Sequence, residues 1–329
     1  MPLYFLSFRD ILTTSVGVTA GEVYSLPGAG PATAWPTARL AGADWVPWAD
    51  VANIFRGKRV CFVIHGFNVN TGAGVRSCGP MAQEFAGLGK LAMTVAAADV
   101  VVPVLWPGDG LIGWSWFNAF HTSETTGARF ADFLLSSAVQ AAEVSFVSHS
   151  LGARVVLETV AHTVARRPDF PFDTAVLTAA AVDDNALDSP DFAAATKALR
   201  RIVILSSMKD DVLKNLFTIG AAVEGALWWN YKTTTRALGR FGPAFKAGSP
   251  GPVKTEWYEI KPGIDQDHGD YLPDGAKALP PLPNGWSARR QDVGDFCHDV
   301  FDALAFTPNQ KDWGADHTAS FRPGWPPKF

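Results

Sequence analysis

The sequence has few cysteines and no stretch in which lysine and arginine are concentrated. Three cysteines in 329 residues are too few and too widely separated for a disulfide framework or a zinc site. The formal net charge is −4. Without a basic patch, the chain lacks the electrostatic footprint of a nucleic-acid-binding protein. We therefore expect no metal and no nucleic acid among its partners.

The sequence also lacks a membrane-spanning run and a recognisable signal peptide. No apolar stretch reaches the roughly 20 residues that a transmembrane helix needs. The first ten residues have neither the charged start nor the long apolar core of a signal peptide. A cytoplasmic location is the expectation, although a removed leader would leave no trace here. The sequence carries no indication of the oligomeric state.

What the chain does have is enough apolar residues, 47% of the total, to bury a large core. Short apolar runs alternate along it with segments of helical spacing. The predicted strands are residues 3–8, 59–64, 100–105, 143–147, 174–181, 201–205 and, as the last, 256–260. The predicted helices are residues 49–55, 80–98, 125–142, 153–167, 189–199 and 291–306. This alternation predicts an α/β fold in which a mostly parallel central sheet carries helices on both faces.

We expect a single domain over residues 1–329, with two insertions and a tail. Residues 108–123 are unusually aromatic, and residues 214–252 are longer than a simple crossover needs. Both are interpreted as cap or lid segments that line an apolar pocket, with a packed crossover helix as the alternative for the second. The tail, residues 307–329, is rich in proline and tryptophan without a period. We expect it to lie extended across the surface.

The segment Ser148–Gly152, which reads Ser-His-Ser-Leu-Gly, lies between a predicted buried strand and a predicted helix. Strand, sharp turn and helix are the context of a nucleophile elbow, which exposes its central side chain at the end of the strand. The flanking residues must be small, because strand and helix approach closely there. Ser150 is therefore the candidate nucleophile. The alternative is a serine that simply caps the helix.

A serine hydroxyl needs a base that is itself held by a carboxylate. In elbow enzymes these groups follow in the order serine, acid, histidine, each after a strand. The acid should follow the strand at 201–205 and is therefore Asp210 or Asp211. Asp210 is favoured because Leu213 can pack as an anchor for the turn. Asp183 and Asp184, after the preceding strand, are outside candidates.

Seven histidines compete for the role of base. His268 follows the last predicted strand and precedes the final predicted helix, which is where the base belongs. His149 is only the variable residue of the elbow, and His65 belongs to an early turn. The aspartates around His268 resemble a calcium loop, but Gly269 stands where a ligand is required and no glutamate occupies the twelfth position. We therefore select His268 and expect no calcium.

The tetrahedral intermediate of acyl transfer needs two donors for its oxyanion. The N–H of Leu151, directly after the nucleophile, is one candidate. Gly66 lets the backbone turn so that the N–H of Phe67 is the other. Asn68 either braces this loop or is an ordinary turn residue.

Together these motifs resemble a largely uncharacterised bacterial group of α/β-hydrolase-fold serine hydrolases, over most of residues 1–306. The shared motifs are His-Gly-Phe-Asn at His65–Asn68, Trp-Pro at Trp106–Pro107, the elbow Ser148–Gly152, and Ser-x-x-x-Asp-x-x-Leu at Ser206–Leu213. The resemblance implies a carboxylesterase or lipase with the triad Ser150, Asp210 and His268. It implies no metal and no organic cofactor.

The aromatic insertions would build the substrate pocket for a small or lipid-like ester. The side chains expected to contact substrate are Asn68, Trp106, Trp114, Trp116 and Phe117. The same triad could serve an amide, a thioester or a lactone, and the sequence does not separate these. A hydrolase-fold protein that only binds a ligand is the alternative from another class. The aromatic segments also leave contact with a membrane surface or an insoluble polymer open.

Overall fold

The computed structural model describes residues 3–9, 18–26, 44–67, 69, 78, 98–108, 115–217, 236–244, 255–260, 268 and 318–319. All structural statements below refer to these residues.

The described residues include ten strands, which join in one sheet in the order β10-β9-β8-β7-β6-β4-β5-β1-β2-β3. From β9 across to β1 all neighbours are parallel. Antiparallel pairing occurs only at the two sides of this sheet, where β2, β3 and β10 lie. The strands are β1 Leu3–Arg9, β2 Val18–Leu26, β3 Asp44–Trp45, β4 Arg59–Ile64, β5 Val100–Leu105, β6 Glu143–His149, β7 Phe172–Thr178, β8 Arg201–Ser207, β9 Thr255–Ile260 and β10 Thr318–Ala319.

The helices pack against this sheet and against one another. They are α1 Trp48–Phe55, α2 Ser115–Leu135, α3 Gly152–Val164, α4 Ala193–Ala198 and α5 Leu238–Phe241, with a 3-10 turn at Ala186–Asp188 and a π-helical turn at Leu213–Phe217. Helices α2 and α3 cross closely at Gly127, where a Cβ atom would lie 2.3 Å from the Cβ of Glu158. None of the helices in the described part of the chain combines the length and apolar character needed to cross a membrane.

A cluster of phenylalanines forms the core between the central strands and the helices. Phe62 of β4 and Phe146 of β6 are opposite each other in the parallel register, and their rings stack with centroids 6.1 Å apart. Phe130 of α2 meets both rings edge-on, at 4.9 and 6.0 Å. Aromatic pairs prefer such edge-to-face contacts. The cluster therefore fixes α2 over the two strands that precede the turns of the site.

The predicted α/β fold with a mostly parallel central sheet is confirmed. Strands β4 and β5 begin and end where the sequence predicts. Residues 80–97 of the predicted helix at 80–98 and the whole predicted helix at 291–306 lie outside the described residues, and residue 98 is not helical. Strand β7 ends at Thr178 rather than at residue 181, because Ala179 has a φ of 45° and turns the chain away. Strand β9 is not the last strand, since two residues of the tail add β10 beside it.

Helix α2 differs most from its prediction, since it begins at Ser115 rather than at residue 125. The first turns are aromatic and lie within the predicted insertion at 108–123. Burial favours the helix from Ala119 onward: Ala119 and Phe120 are buried, and the Phe120 ring lies under the guanidinium of Arg154 in α3, 3.6 Å from its carbon. The helix ends at Leu135 rather than at residue 142, and the Ser136 hydroxyl then donates to the carbonyl of Phe133 at 2.7 Å.

Candidate active site

Ser150 lies at the turn between β6 and α3, in a left-handed backbone conformation with a φ of 54°. Residues with a side chain rarely adopt this region, and they keep it only where neighbouring contacts enforce it. Two hydrogen bonds do so here. The Ser150 N–H donates to the carbonyl of Thr178, and the Ser150 carbonyl accepts from the N–H of Ala181, both at 3.0 Å. The exit of β7 therefore holds the elbow in its strained form.

The elbow leaves no room for a side chain at Gly152. A Cβ atom at this position would lie 2.6 Å from the carbonyl oxygen of His65 and 2.9 Å from that of Ile64. Both obstacles are backbone atoms, which cannot rotate away. The glycine allows α3 to begin directly against the end of β4.

The structure brings Ser150, His268 and Asp210 into one hydrogen-bonded chain. The distance from Ser150 Oγ to His268 Nε2 is 2.8 Å, and that from His268 Nδ1 to Asp210 Oδ2 is 2.7 Å. A carboxylate only accepts, so Nδ1 carries the proton and Nε2 is left to accept the serine proton. The Asp210 side chain is fully buried and that of His268 is 13% exposed. Water therefore competes little with either contact.

The turn after β8 orients the acid through several contacts. Oδ1 of Asp210 accepts a hydrogen bond from the N–H of Leu213 at 2.8 Å. The main-chain carbonyl of Asp210 accepts from the N–H of Lys214 at 3.1 Å and from Nη1 of Arg240 at 2.6 Å. Leu213 is buried, in agreement with the packing role that favoured Asp210.

The other acid candidates are placed elsewhere. Asp211 is exposed. The carboxylate of Asp184 lies 2.9 Å from Nε of Arg236, and Asp183 forms a β-bridge with Ala237. Of the four candidates, Asp210 is the one that the structure places against His268.

The turn after β4 lies directly beside the nucleophile. A Cβ atom on Gly66 would be 2.7 Å from the Cβ of Ser150, so the loop and the elbow are in contact. Leu151 is the last residue before α3, and N–H groups at the start of a helix have no partner within it. Phe67 follows the contacting glycine and is partly buried against the core. The two predicted oxyanion donors thus belong to two adjoining turns.

His65 and Trp106 together brace this loop from beneath. The Trp106 N–H donates to His65 Nε2 at 3.2 Å, so the proton is on Nδ1, which donates to the carbonyl of Gly66 at 2.9 Å. The indole Nε1–H donates to the carbonyl of His65 at 2.7 Å. Burial, with the nearby charge of Arg9, lowers the pKa of His65 to about 3. His65 is therefore a neutral structural residue.

The residues expected to contact substrate are only partly described. Trp106 was expected to contact substrate, but it has no exposed surface. It supports the loop after β4 through its hydrogen bonds with His65. Trp116 and Phe117 lie in the first turn of α2, but their side chains are outside the described part, as are Asn68 and Trp114. In the described residues, no three side chains of His, Cys, Asp or Glu are grouped as a metal site would require.

The sequence gives His149 only the variable place of the elbow, whereas the structure brings it against His268. Its Nε2 lies 2.7 Å from the main-chain carbonyl oxygen of His268, and the two imidazole rings are 4.8 Å apart. The partner is a backbone atom 119 residues further along the chain. No sequence pattern signals such a contact.

Known proteins resemble the chain to different degrees. Solved structures with 11% identity include an esterase from Pyrobaculum calidifontis in a monoclinic form. The match covers 87% of this chain and 81% of the esterase, with a TM-score of 0.36. A second structure of a hyperthermophilic esterase from that archaeon covers 87% and 80%, with a TM-score of 0.37. The esterase Est2 from the planctomycete Thermogutta terrifontis covers 87% and 96%, with a TM-score of 0.35. Similarity at this level establishes nothing about the substrate.

A comparison with curated proteins found no match. The model of one family, described as alpha/beta hydrolase of unknown function (DUF900), matches residues 50–225. This stretch is more than half of the chain and contains β4 to β8, Ser150 and Asp210. The protein therefore belongs to this family of α/β-hydrolases.

Proposed function

We propose that the protein is a serine hydrolase that cleaves carboxylic esters through an acyl-enzyme on Ser150. The observation that carries the proposal is the chain of two short hydrogen bonds from Ser150 Oγ through His268 to the buried Asp210. This is the arrangement that converts a weakly nucleophilic hydroxyl into an attacking group. Family membership supports hydrolysis as the reaction class.

In the acylation half, Nε2 of His268 takes the hydroxyl proton while Ser150 Oγ attacks the ester carbonyl carbon. Asp210 keeps the imidazole in the tautomer with its proton on Nδ1 and stabilises the imidazolium that forms. The N–H groups of Leu151 and Phe67 donate to the oxyanion. One such donor is typically worth about 3 kcal/mol of transition-state stabilisation. His268 then gives its proton to the departing alcohol oxygen as the C–O bond breaks.

In the deacylation half, His268 removes a proton from water, which attacks the acyl carbonyl. The second tetrahedral intermediate collapses, the acid product leaves, and the proton returns to Ser150 Oγ. Every proton in this cycle passes through Nε2 of His268.

Hydrolysis of short and long p-nitrophenyl esters by the wild type and by Ser150→Ala tests the proposal. Intact mass after treatment with a serine-directed phosphonate is measured in parallel. Ser148→Ala is the matched control, because this hydroxyl points away from the site and donates to the carbonyl of Val176 at 3.3 Å. We expect turnover and a single adduct in the wild type and in Ser148→Ala, and neither in Ser150→Ala.

Other outcomes separate the parts of the proposal. An adduct that depends on Ser150, without ester turnover, would support the nucleophile and overturn the ester assignment. A panel of amides, thioesters and lactones would then identify the bond that is cleaved. A wild-type protein with neither an adduct nor turnover would overturn the serine hydrolase and favour a binding protein of the same fold.

A further inference from the structure

We infer that His149 is a positioning residue that holds the main chain of His268 at the distance from Ser150 that proton transfer requires. The inference rests on the proposed function and adds a role that the triad does not include. It follows from the contact between the His149 imidazole and the main chain of the base.

The contact has one possible donor. The atom opposite Nε2 of His149, at 2.7 Å, is the carbonyl oxygen of His268, which can only accept. Nε2 of His149 therefore carries a hydrogen and donates it. His149 is 7% exposed, so water is a poor substitute for this donor. Loss of the donor would cost the partly buried carbonyl of His268 one hydrogen-bond partner.

The donor is fixed relative to the nucleophile by the sheet. His149 is the last residue of β6 and is paired in register with Thr178 of β7, and Ser150 follows it directly. His268 is therefore bound to two consecutive residues of the elbow. Its side chain meets Ser150 Oγ at 2.8 Å, and its carbonyl meets His149. Asp210 and Ser150 orient the imidazole of His268, and the bond from His149 fixes the main chain that carries it.

The His149 ring also fills the space between the turns of the site. Its centroid is 4.8 Å from that of His268, at an interplanar angle of 52°. A Cβ atom on Gly66 would lie 3.0 Å from His149 Nδ1, so the ring touches the turn after β4 as well. The His149 side chain thus lies between the turn after β4, at Gly66, and the imidazole of His268.

A contact that positions His268 is needed because His268 does not lie on β9. The strand ends at Ile260, and the base stands further along, at position 268. The regular geometry of the sheet therefore does not set the position of the imidazole. Reacting groups displaced by about 1 Å can lose roughly 100-fold in rate, so a contact that sets this position has a measurable effect on turnover.

The test compares His149→Gln with His149→Asn. The Gln amide nitrogen reaches the position of Nε2, whereas the Asn amide nitrogen occupies that of Nδ1. We expect His149→Asn to lower kcat about 10- to 100-fold with little change in KM, and His149→Gln to recover most of that loss. Thermal melting of both variants and the wild type controls for folding. A purely structural role would lower the melting temperature of both variants without this difference in kcat.

A second measurement does not depend on turnover. The proton on His268 Nδ1, bonded to the buried Asp210 carboxylate, gives a separate low-field signal in proton NMR spectra. We expect this signal to persist in His149→Gln and to broaden or disappear in His149→Asn. Equal kcat values and unchanged low-field signals in both variants would overturn the inference while Ser150-dependent turnover left the proposed function standing. Absence of turnover and of phosphonate labelling in the wild type would overturn both.

Discussion

Asp210 and His268 are in contact although 58 residues separate them, with Oδ2 of the acid 2.7 Å from Nδ1 of the imidazole. The second oxygen of the same carboxylate is held by the N–H of Leu213. The carboxylate therefore cannot rotate without losing one of these bonds. It presents Oδ2 to His268 in a fixed direction.

Replacement of this carboxylate by an amide should disable the base. In Asp210→Asn, the amide can donate to Nδ1, which favours the imidazole tautomer with its proton on Nε2 and blocks acceptance of the serine proton. We expect ester turnover to fall about 10⁴-fold, as in the equivalent substitution in serine proteases. The adjacent Asp211→Asn is the matched control, because Asp211 is exposed. A similar loss in both variants would contradict the placement of the acid.

Gly66→Ala should damage the site through contact with the nucleophile. The new methyl group would lie 2.7 Å from the Cβ of Ser150, a distance that requires one of the two turns to move. We expect a loss of ester turnover of at least about 10-fold, since displacement of reacting groups is costly. Steady-state kinetics and phosphonate labelling rates measure the effect. Unchanged rates in a folded variant would show that this turn does not contribute to the oxyanion site.

His65 should contribute to unfolding at acid pH. Burial lowers its pKa from 6.5 in the unfolded chain to about 3 in the folded protein. Between these values the unfolded state binds the proton more strongly. The contribution to the free energy of unfolding is thus complete above pH 6.5 and is lost progressively as the pH falls toward 3. Urea unfolding of His65→Asn at several pH values should show a shallower acid dependence than the wild type.

The matched control for that experiment is His121→Asn, because His121 is exposed on α2. We expect the wild-type dependence on pH to persist in this variant. If the free energy of unfolding of His65→Asn falls with pH as steeply as that of the wild type, other groups determine the acid sensitivity.

Glu158 should give a pH dependence of the opposite sign. Burial raises its pKa from 4.5 to about 7, against the attraction of Arg154, whose Nη2 lies 3.0 Å from the carboxylate. The contribution of the Glu158 carboxyl to the free energy of unfolding is therefore complete below pH 4.5 and is lost as the pH rises through 7. Glu158→Gln resembles the protonated form. Relative to the wild type, it should gain roughly 3 kcal/mol in the free energy of unfolding between pH 4 and 8.

The control for Glu158 is Asp169→Asn, which removes a carboxylate with 84% exposure that faces Arg167 at 3.6 Å. Exposed pairs contribute little, so this variant should follow the wild type across the same pH range. A parallel gain in both variants would indicate a general charge effect.

The features that the sequence could predict are those set by neighbours in the chain. The apolar run of β4, the small Gly152 beside Ser150 and the turn after β8 each follow from a few consecutive residues. The catalytic roles of these residues remain predictions. Features that depend on distant partners were missed. In α2, Phe120 lies under Arg154 of another helix, and two residues of the tail pair with β9 as β10. The His149 contact joins residues that no local pattern relates.

The main-chain carbonyl of Asp210 joins two parts of the chain that are distant in sequence. It accepts from the N–H of Lys214, in the π-helical turn after β8, and from Nη1 of Arg240, in α5. One acceptor atom thus ties the turn after β8 to a helix that begins 28 residues beyond Asp210. The position of Asp210 is therefore set by α5 as well as by its own strand, and a change in that helix would be felt at the residue that faces His268.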